Sequence, residues 1–146
     1  MKIRIEGCLP KDFGLTRASL KAAAEYCAAR SAARVRAVFQ EITLVLQDDA
    51  SSAEVHQAIM KVPTPTDVIT QSYTAIPPEP EGVYGELYLN LDQARRVAPK
   101  RAGWSRAKEL LLYVAHGLDH LSGADDHSPT DYARMRRREL RWLKHV

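Results

Sequence analysis

The chain has 146 residues and an ordinary globular composition, with 45% hydrophobic and 27% charged residues. It has no apolar run near the ~18 residues of a membrane span, and the charged residues of Met1–Glu6 stand where a signal peptide would have its apolar core. Two cysteines are too few for a disulfide framework, and a net charge of +3 means that nucleic-acid binding would depend on where the cations lie. We therefore expect a single cytoplasmic domain over residues 1–146, without a membrane partner.

Hydrophobic periodicity, helix caps and prolines predict an alternation of strands and helices. In chain order we expect a strand at 2–6, a helix at 16–33, a strand at 38–46, a short helix to residue 60, strands at 67–73 and 84–91, and helices at 92–97, 105–121 and 128–144. Ser51 or Ser52 is expected to cap the second helix, and Asp92 the third. This order, which ends in helices, predicts an α+β fold, a small mixed β-sheet packed with helices.

The helix at 105–121 is expected to carry the functional site. Its stretch Leu110–Ala115 is apolar on every side, which is typical of a helix that passes through the core. Histidines that could bind a metal lie on its last turns, and a site there would rest on a rigid support. We therefore predict a zincin-like arrangement, with a metal-binding helix through the core.

Three of the five histidines, His116, His120 and His127, lie within twelve residues near the carboxyl end. The first two are four residues apart on the predicted helix, so their rings leave one face roughly 40° apart and can reach one ion. Gly123 can take the left-handed conformation that ends a helix, after which the chain can return His127 toward the other two rings. Three nitrogen ligands with a fourth position for water are typical of catalytic zinc. The pattern predicts a metal-dependent hydrolase.

Three aspartates in the same stretch have more than one interpretation. Asp119, Asp125 and Asp126 could orient a ligating ring or replace a ligand, or they could be turn and capping residues. For Asp119 we favour the turn or capping role.

The last helix is predicted to present a basic face. Its cations fall within about 120° of one another and are Arg134, Arg137, Arg138, Arg141 and Lys144. The opposite arc holds Tyr132, Met135, Trp142 and Leu143, and the run contains one acid, Glu139. Such a face is either solvated or, beside a metal site, a surface for RNA phosphates. The sequence shows no aromatic platform of the kind that single-strand readers use, so we expect little base specificity.

The stretch from His116 to His127 resembles the YbeY family of bacterial endoribonucleases, whose pattern is H-G-x-L-H-L-x-G followed by a third histidine. The chain matches at His116, Gly117, His120, Leu121 and Gly123. Residues 65–70, P-T-D-V-I-T, look like the family's P-T-D-V-L-S strand, and residues 85–89, G-E-L-Y-L, look like its G-D-I strand. The resemblance covers about residues 41–144.

The resemblance implies a mixed α/β fold and one zinc ion, or nickel or another divalent transition metal, held by His116, His120 and His127. It also implies a role in 16S rRNA 3′ maturation and ribosome quality control, with the 16S rRNA precursor and the small ribosomal subunit as partners. The last two histidines are seven residues apart, whereas the family usually has six, so Asp126 is an alternative third ligand. The family's arginine before P-T-D-V is absent, and only Lys61 can stand in its place.

Further departures from the family pattern are Glu86 in place of the aspartate of G-D-I, and Gln71 in place of a phenylalanine. Lys61, Asp126 or a backbone amide could handle protons or charge during catalysis. The attack could come from hydroxide on phosphorus or from the ribose 2′-hydroxyl, and the sequence leaves both open.

Two other functions compete with a single-strand endoribonuclease. Zinc peptidases of the H-E-x-x-H type use the glutamate as general base, but Gly117 occupies that position here. A non-catalytic RNA-binding ribosome-assembly factor would bind metal and RNA without turnover.

Overall fold

The computed structural model describes residues 1–146 and contains four strands and five helices. The strands are β1 (Lys2–Glu6), β2 (Phe39–Gln47), β3 (Val68–Tyr73) and β4 (Val83–Asn90). The helices are α1 (Arg17–Val35), α2 (Asp49–Met60), α3 (Leu91–Val97), α4 (Arg106–Leu121) and α5 (Pro129–Leu143). The predicted α+β class and the order of its elements are confirmed. No helix combines the length and the apolar character that crossing a bilayer would require.

The four strands form one mixed sheet in the order β1-β2-β4-β3. β1 is parallel to β2 and β2 to β4, whereas β3 runs antiparallel to β4 at the edge of the sheet. In this last pair Val68 lies opposite Leu89, and Tyr73 opposite Tyr84. The edge strand β3 is one of the two strands on which α4 packs, so it lies beside the helix that carries the histidines.

Two helix caps differ from the sequence prediction. Asp48, and neither Ser51 nor Ser52, caps α2, because its carboxylate accepts the backbone N–H of Ser51 at 2.8 Å. Asn90 caps α3 by accepting the backbone N–H groups of Asp92 and Gln93. In both cases the residue that ends the preceding strand, or follows it directly, also begins the helix, which shortens the connection.

Helix α4 passes through the core, as its apolar sequence predicts. Leu110, Leu112, Val114, Ala115 and Leu118 are almost completely buried. α4 packs on β3 and β4 on one side and on α1 and α5 on others. Cys27 of α1 lies in the same core, and burial raises the pKa of its thiol to about 12. His116 and His120 therefore lie on the last turns of a helix that is enclosed on several sides.

Gly117 is the point at which α4 lies closest to the sheet. A Cβ atom at this position would be 2.7 Å from Leu87 Cδ2 on β4 and 3.2 Å from Thr70 Cγ2 on β3. Real Cβ atoms essentially never come within 3.0 Å of another heavy atom, so any larger residue here would force the fully buried side chain of Leu87 to shift. The same close approach leaves no room for the glutamate that a peptidase of the H-E-x-x-H type would need here.

The Gly117→Ala variant is expected to lower the free energy of unfolding by about 1–3 kcal/mol through overpacking. Alanine has a higher helix propensity than glycine, by about 1 kcal/mol, which acts in the opposite direction. A net loss of stability would show that overpacking is the larger effect, and a net gain that helix propensity is. Urea denaturation measures it. A double variant with Leu87→Ala should recover part of the loss, and a single variant as stable as wild type would contradict the packing argument.

Candidate metal centre

The last two turns of α4 bring the rings of His116 and His120 together. Their Nε2 atoms are 3.0 Å apart, and the rings are nearly perpendicular, at 87°. This geometry follows from the four-residue spacing, which places both side chains on one face of the helix. Both rings are partly buried.

The loop after α4 adds a carboxylate to the two rings. Gly123 has a φ of +92°, and the following chain turns back over the end of the helix. Asp126 Oδ2 then lies 3.5 Å from Nε2 of His116 and 3.4 Å from Nε2 of His120. His116, His120 and Asp126 are therefore the three side chains that the fold groups around one point.

His127 does not join this group, which differs from the expectation that it would be the third ligand. Its side chain is 90% exposed, and its Nε2 lies 3.4 Å from Asp125 Oδ1. The carboxylate of Asp125 accepts a hydrogen bond of 2.8 Å from the backbone N–H of His127. In this turn the ring of His127 points into solvent. Asp125, Asp126 and His127 form a second, more exposed group with ligand atoms within 4.8 Å.

The donor atoms of His116, His120 and Asp126 fit a divalent transition metal. Their mutual separations are 3.0, 3.4 and 3.5 Å. Ligands about 2.0–2.1 Å from a tetrahedral ion lie about 3.3–3.4 Å from one another, so the two separations to Asp126 are close to this spacing and the two rings lie slightly closer together. Two imidazoles and a carboxylate with a fourth position left for water are the donors of a catalytic site.

Each ring is oriented through its other nitrogen. His116 Nδ1 lies 2.9 Å from Oε2 of Glu139 on α5, and His120 Nδ1 lies 3.0 Å from the carbonyl oxygen of Ala124. Both acceptors favour the tautomer that carries its proton on Nδ1, which leaves Nε2 free as a ligand. Glu139 is fully buried. The sequence groups Glu139 with the charged run of α5, but its position between Met135 and Trp142 on the apolar arc indicates burial.

Burial and pairing act together on His116 and Glu139. Burial alone lowers the pKa of His116, but the hydrogen bond and the charge of Glu139 outweigh it and raise the pKa above its usual value. Burial also raises the pKa of the Glu139 carboxyl. The contact with Oε2 occupies Nδ1, so Nε2 is the nitrogen at which a metal would bind in competition with a proton.

The Glu139→Gln variant is expected to bind metal about 10–100-fold more weakly, because the ring of His116 loses its charged acceptor. Competition with a chelating dye measures the affinity. Glu25→Gln, a change at an exposed site on α1, should leave the affinity unchanged. Equal affinities for wild type and Glu139→Gln would contradict the orienting role.

A cleft of about 590 Å³ opens beside the metal group. Val68 and Thr70 of the edge strand β3 line it opposite His120 and Asp126, and Met60 at the end of α2 adds an apolar contact. Lys61, the predicted catalytic lysine, is exposed directly after Met60, in a left-handed conformation with a φ of 61°. It does not line the cleft, so its catalytic role stays a prediction.

The basic face on α5 is smaller than the sequence suggested. Arg134, Arg137, Arg141 and Lys144 are exposed. Arg138 is instead only 13% exposed and donates two hydrogen bonds, of 3.1 and 2.9 Å, to the carboxylate of Asp119. Four cations therefore remain available to a polyanion.

Asp119 is also different from the expectation. Its carboxylate is completely buried and lies 3.6 Å from Arg34 as well as in contact with Arg138, so it joins α1, α4 and α5 instead of capping a turn.

Tyr132, expected on the apolar side of the last helix, is 47% exposed and receives a hydrogen bond from Arg136.

Comparison with known proteins places the chain among relatives that share one name. The family model described as "Endoribonuclease YbeY" matches residues 11–146. A protein of that name from Rhodopirellula baltica is 39% identical over 98 residues, which cover 66% of this chain and 49% of the relative. One from Roseiflexus sp. (strain RS-1) is 34% identical over 111 residues, covering 71% and 69%. The chain thus spans about half to two thirds of the length of these curated relatives.

A solved structure supports the fold. The solution structure of a protein from Thermotoga maritima superimposes with a TM-score of 0.59 and 22% sequence identity, over 97% of this chain and 87% of that one. At this identity the match shows that the two chains share an architecture.

Proposed function

This chain belongs to the YbeY endoribonuclease family, and we propose that it is a metal-dependent endoribonuclease that cleaves single-stranded RNA. The observation that carries the proposal is the grouping of His116, His120 and Asp126 beside an open cleft. We propose one zinc ion, or nickel or another divalent transition metal, as its cofactor. By family relationship, the proposed role is 16S rRNA 3′ maturation and ribosome quality control in the cytoplasm, with the 16S rRNA precursor and the small ribosomal subunit as partners.

The three donor side chains would hold the ion, and their neighbours would keep them in place. When bound, such an ion supplies a water of lowered pKa and a positive charge for phosphate oxygens. We assign Asp126 to the metal, and not to proton transfer, because its Oδ2 faces both ring nitrogens. Glu139 and the carbonyl of Ala124 fix the two rings so that neither has to reorient during the reaction.

The electrostatics of α5 suit a polyanionic substrate. Arg134, Arg137, Arg141 and Lys144 are exposed on the helix that begins shortly after the metal-binding loop. Contacts of such cations with phosphates position an RNA strand without reading its sequence. We propose the same kind of contact for Lys61, whose single charge cannot reproduce the bidentate grip of an arginine. RNA affinity should therefore fall steeply with salt.

The test is cleavage of a labelled 16S rRNA 3′ precursor by the purified protein. We expect cleavage that a chelator abolishes and added zinc restores, with none from a His120→Ala preparation, which reports contaminating nuclease. Metal and RNA binding without cleavage would contradict the enzyme and favour a non-catalytic assembly factor. Chelator-sensitive cleavage of an unstructured protein, with RNA left intact, would favour the peptidase.

A further inference from the structure

A groove between the start of α4 and the end of α5 lies outside the metal centre. Trp104, Leu140 and Leu143 supply its apolar lining, and Lys108 and Lys144 complete it, around a volume of about 340 Å³. We infer that this Trp104 groove binds an unstacked base of the RNA strand. The inference rests on the proposed function, since it adds a second contact for the same substrate.

The indole ring of Trp104 is fixed in place before any ligand arrives. Its Nε1–H donates a hydrogen bond of 2.9 Å to Oε1 of Glu109, a carboxylate that is almost completely buried. The ring itself is partly exposed. A partly exposed aromatic ring held by a buried partner offers a stacking surface at little cost in side-chain entropy, and base stacking needs no sequence match.

The charge around the groove matches a nucleotide better than an apolar ligand. Lys108 Nζ and the guanidinium carbon of Arg101 each lie 5.6 Å from the centre of the Trp104 ring. Lys144 lines the groove and also belongs to the exposed cations of α5. The one acid near the ring, Glu109, is buried and already bonded. Arg101 also lies 3.7 Å from Glu109, so Lys108 and Lys144 are the cations that line the groove and could contact the phosphates of a bound nucleotide.

The groove and the metal centre are built on the same two helices, α4 and α5. Glu139 contacts His116 of the metal centre, and Leu143 of the groove lies four residues further along α5, about 6 Å along the helix axis. On α4, Lys108 precedes His116 by eight residues, about 12 Å. Offsets of this size are within the reach of a few nucleotides, and the inference places a base in the groove while a phosphate of the same strand lies at the metal.

The size of the groove favours a base over a protein segment. Its 340 Å³ lies near the lower end of the range of about 300–1,000 Å³ seen for small-ligand pockets. A docked amphipathic helix needs several anchor points along its length, and a second copy of the chain needs a far larger contact area. The groove offers one aromatic ring and two leucines. Base contact here would revise the sequence-based expectation that no aromatic platform exists.

Tryptophan fluorescence tests the inference directly, because the protein has two tryptophans and Trp142 is only 8% exposed. The metal-loaded protein would be titrated with a 2′-O-methyl hexauridine, with its integrity checked on gels. We expect quenching in wild type and in Trp142→Phe, and no quenching in Trp104→Leu. We also expect Trp104→Leu to bind the oligonucleotide at least about fivefold more weakly, and an abasic oligonucleotide to bind wild type with the same loss.

Several outcomes would overturn the inference. One is saturable binding without quenching, with equal affinities for wild type and Trp104→Leu. Another is sedimentation of wild type as a dimer that Trp104→Glu dissociates, which would assign the groove to a second copy. Cleavage of the 16S rRNA precursor without quenching by the hexauridine would reject the groove and leave the nuclease proposal intact.

The opposite result separates the two proposals in the other direction. Quenching by the hexauridine without cleavage of the precursor would support the groove and reject the nuclease.

Discussion

His120→Ala is expected to lower kcat/KM for RNA cleavage by at least about 10³-fold, a loss of about 4 kcal/mol of transition-state stabilisation. The variant removes one of three side chains that converge on the proposed metal position. His127, the other candidate ligand in this stretch, has a 90% exposed side chain that contacts Asp125 instead. Steady-state cleavage of a fluorogenic RNA, with bound metal measured on the same preparations, tests this expectation.

His145→Ala is the matched control. His145 is an exposed histidine that stacks on Tyr26 at the other end of α5, and its loss should leave kcat/KM unchanged. Circular dichroism should show His120→Ala folded, because the ring is only partly buried. A His120→Ala variant that retained a tenth or more of wild-type activity would show that the reaction does not depend on this metal site.

Asp119→Ala is expected to lower the free energy of unfolding by about 3–5 kcal/mol, the cost of removing one partner from a buried ion pair. The change leaves the guanidinium of Arg138 with its charge unpaired among α1, α4 and α5. Equilibrium denaturation measures the loss. Asp119→Asn keeps the shape of the side chain and some of its hydrogen bonding. Its free energy of unfolding should therefore lie between those of wild type and Asp119→Ala, and it should remain folded if the alanine variant does not.

The control for this prediction is Asp12, whose carboxylate pairs with Arg95 and Arg106 in solvent. Water compensates for the loss of such pairs, so Asp12→Ala should cost much less. Similar losses at Asp12 and Asp119 would mean that burial of the Asp119–Arg138 pair is unimportant.

Most of the fold could be predicted because its signals are local. The apolar stretch of α4 and the alternation in β4 each lie within about ten residues, and both elements formed where expected. The predicted capping residues of α2 and α3 are wrong, because Asp48 competes with nearby serines for the first cap and Asn90 competes with Asp92 for the second. Only the backbone geometry at the end of each strand decides between them.

The site was predictable only in part, for a related reason. The pair His116 and His120 follows from helix geometry, and the structure brings the two rings together. The choice between Asp126 and His127 depends on the turn at Asp125, which the sequence leaves open.

Contacts between distant residues were also beyond the reach of the sequence. Whether a charged residue on a helix faces solvent or the core depends on its partner in another element. Glu139 meets His116 from 23 residues away, and Arg138 meets Asp119 from 19 residues away. Helical periodicity places Arg138 with the exposed cations of α5 and Glu139 on the apolar arc, but it identifies neither partner.

The metal content of three matched preparations shows which side chains hold the ion. Wild type, Asp126→Asn and His127→Asn would be loaded with zinc, dialysed, and analysed for zinc per chain by atomic emission. We expect one tightly held ion in wild type and in His127→Asn, and its loss from Asp126→Asn. Retention by Asp126→Asn together with loss from His127→Asn would contradict the grouping of Asp126 with His116 and His120.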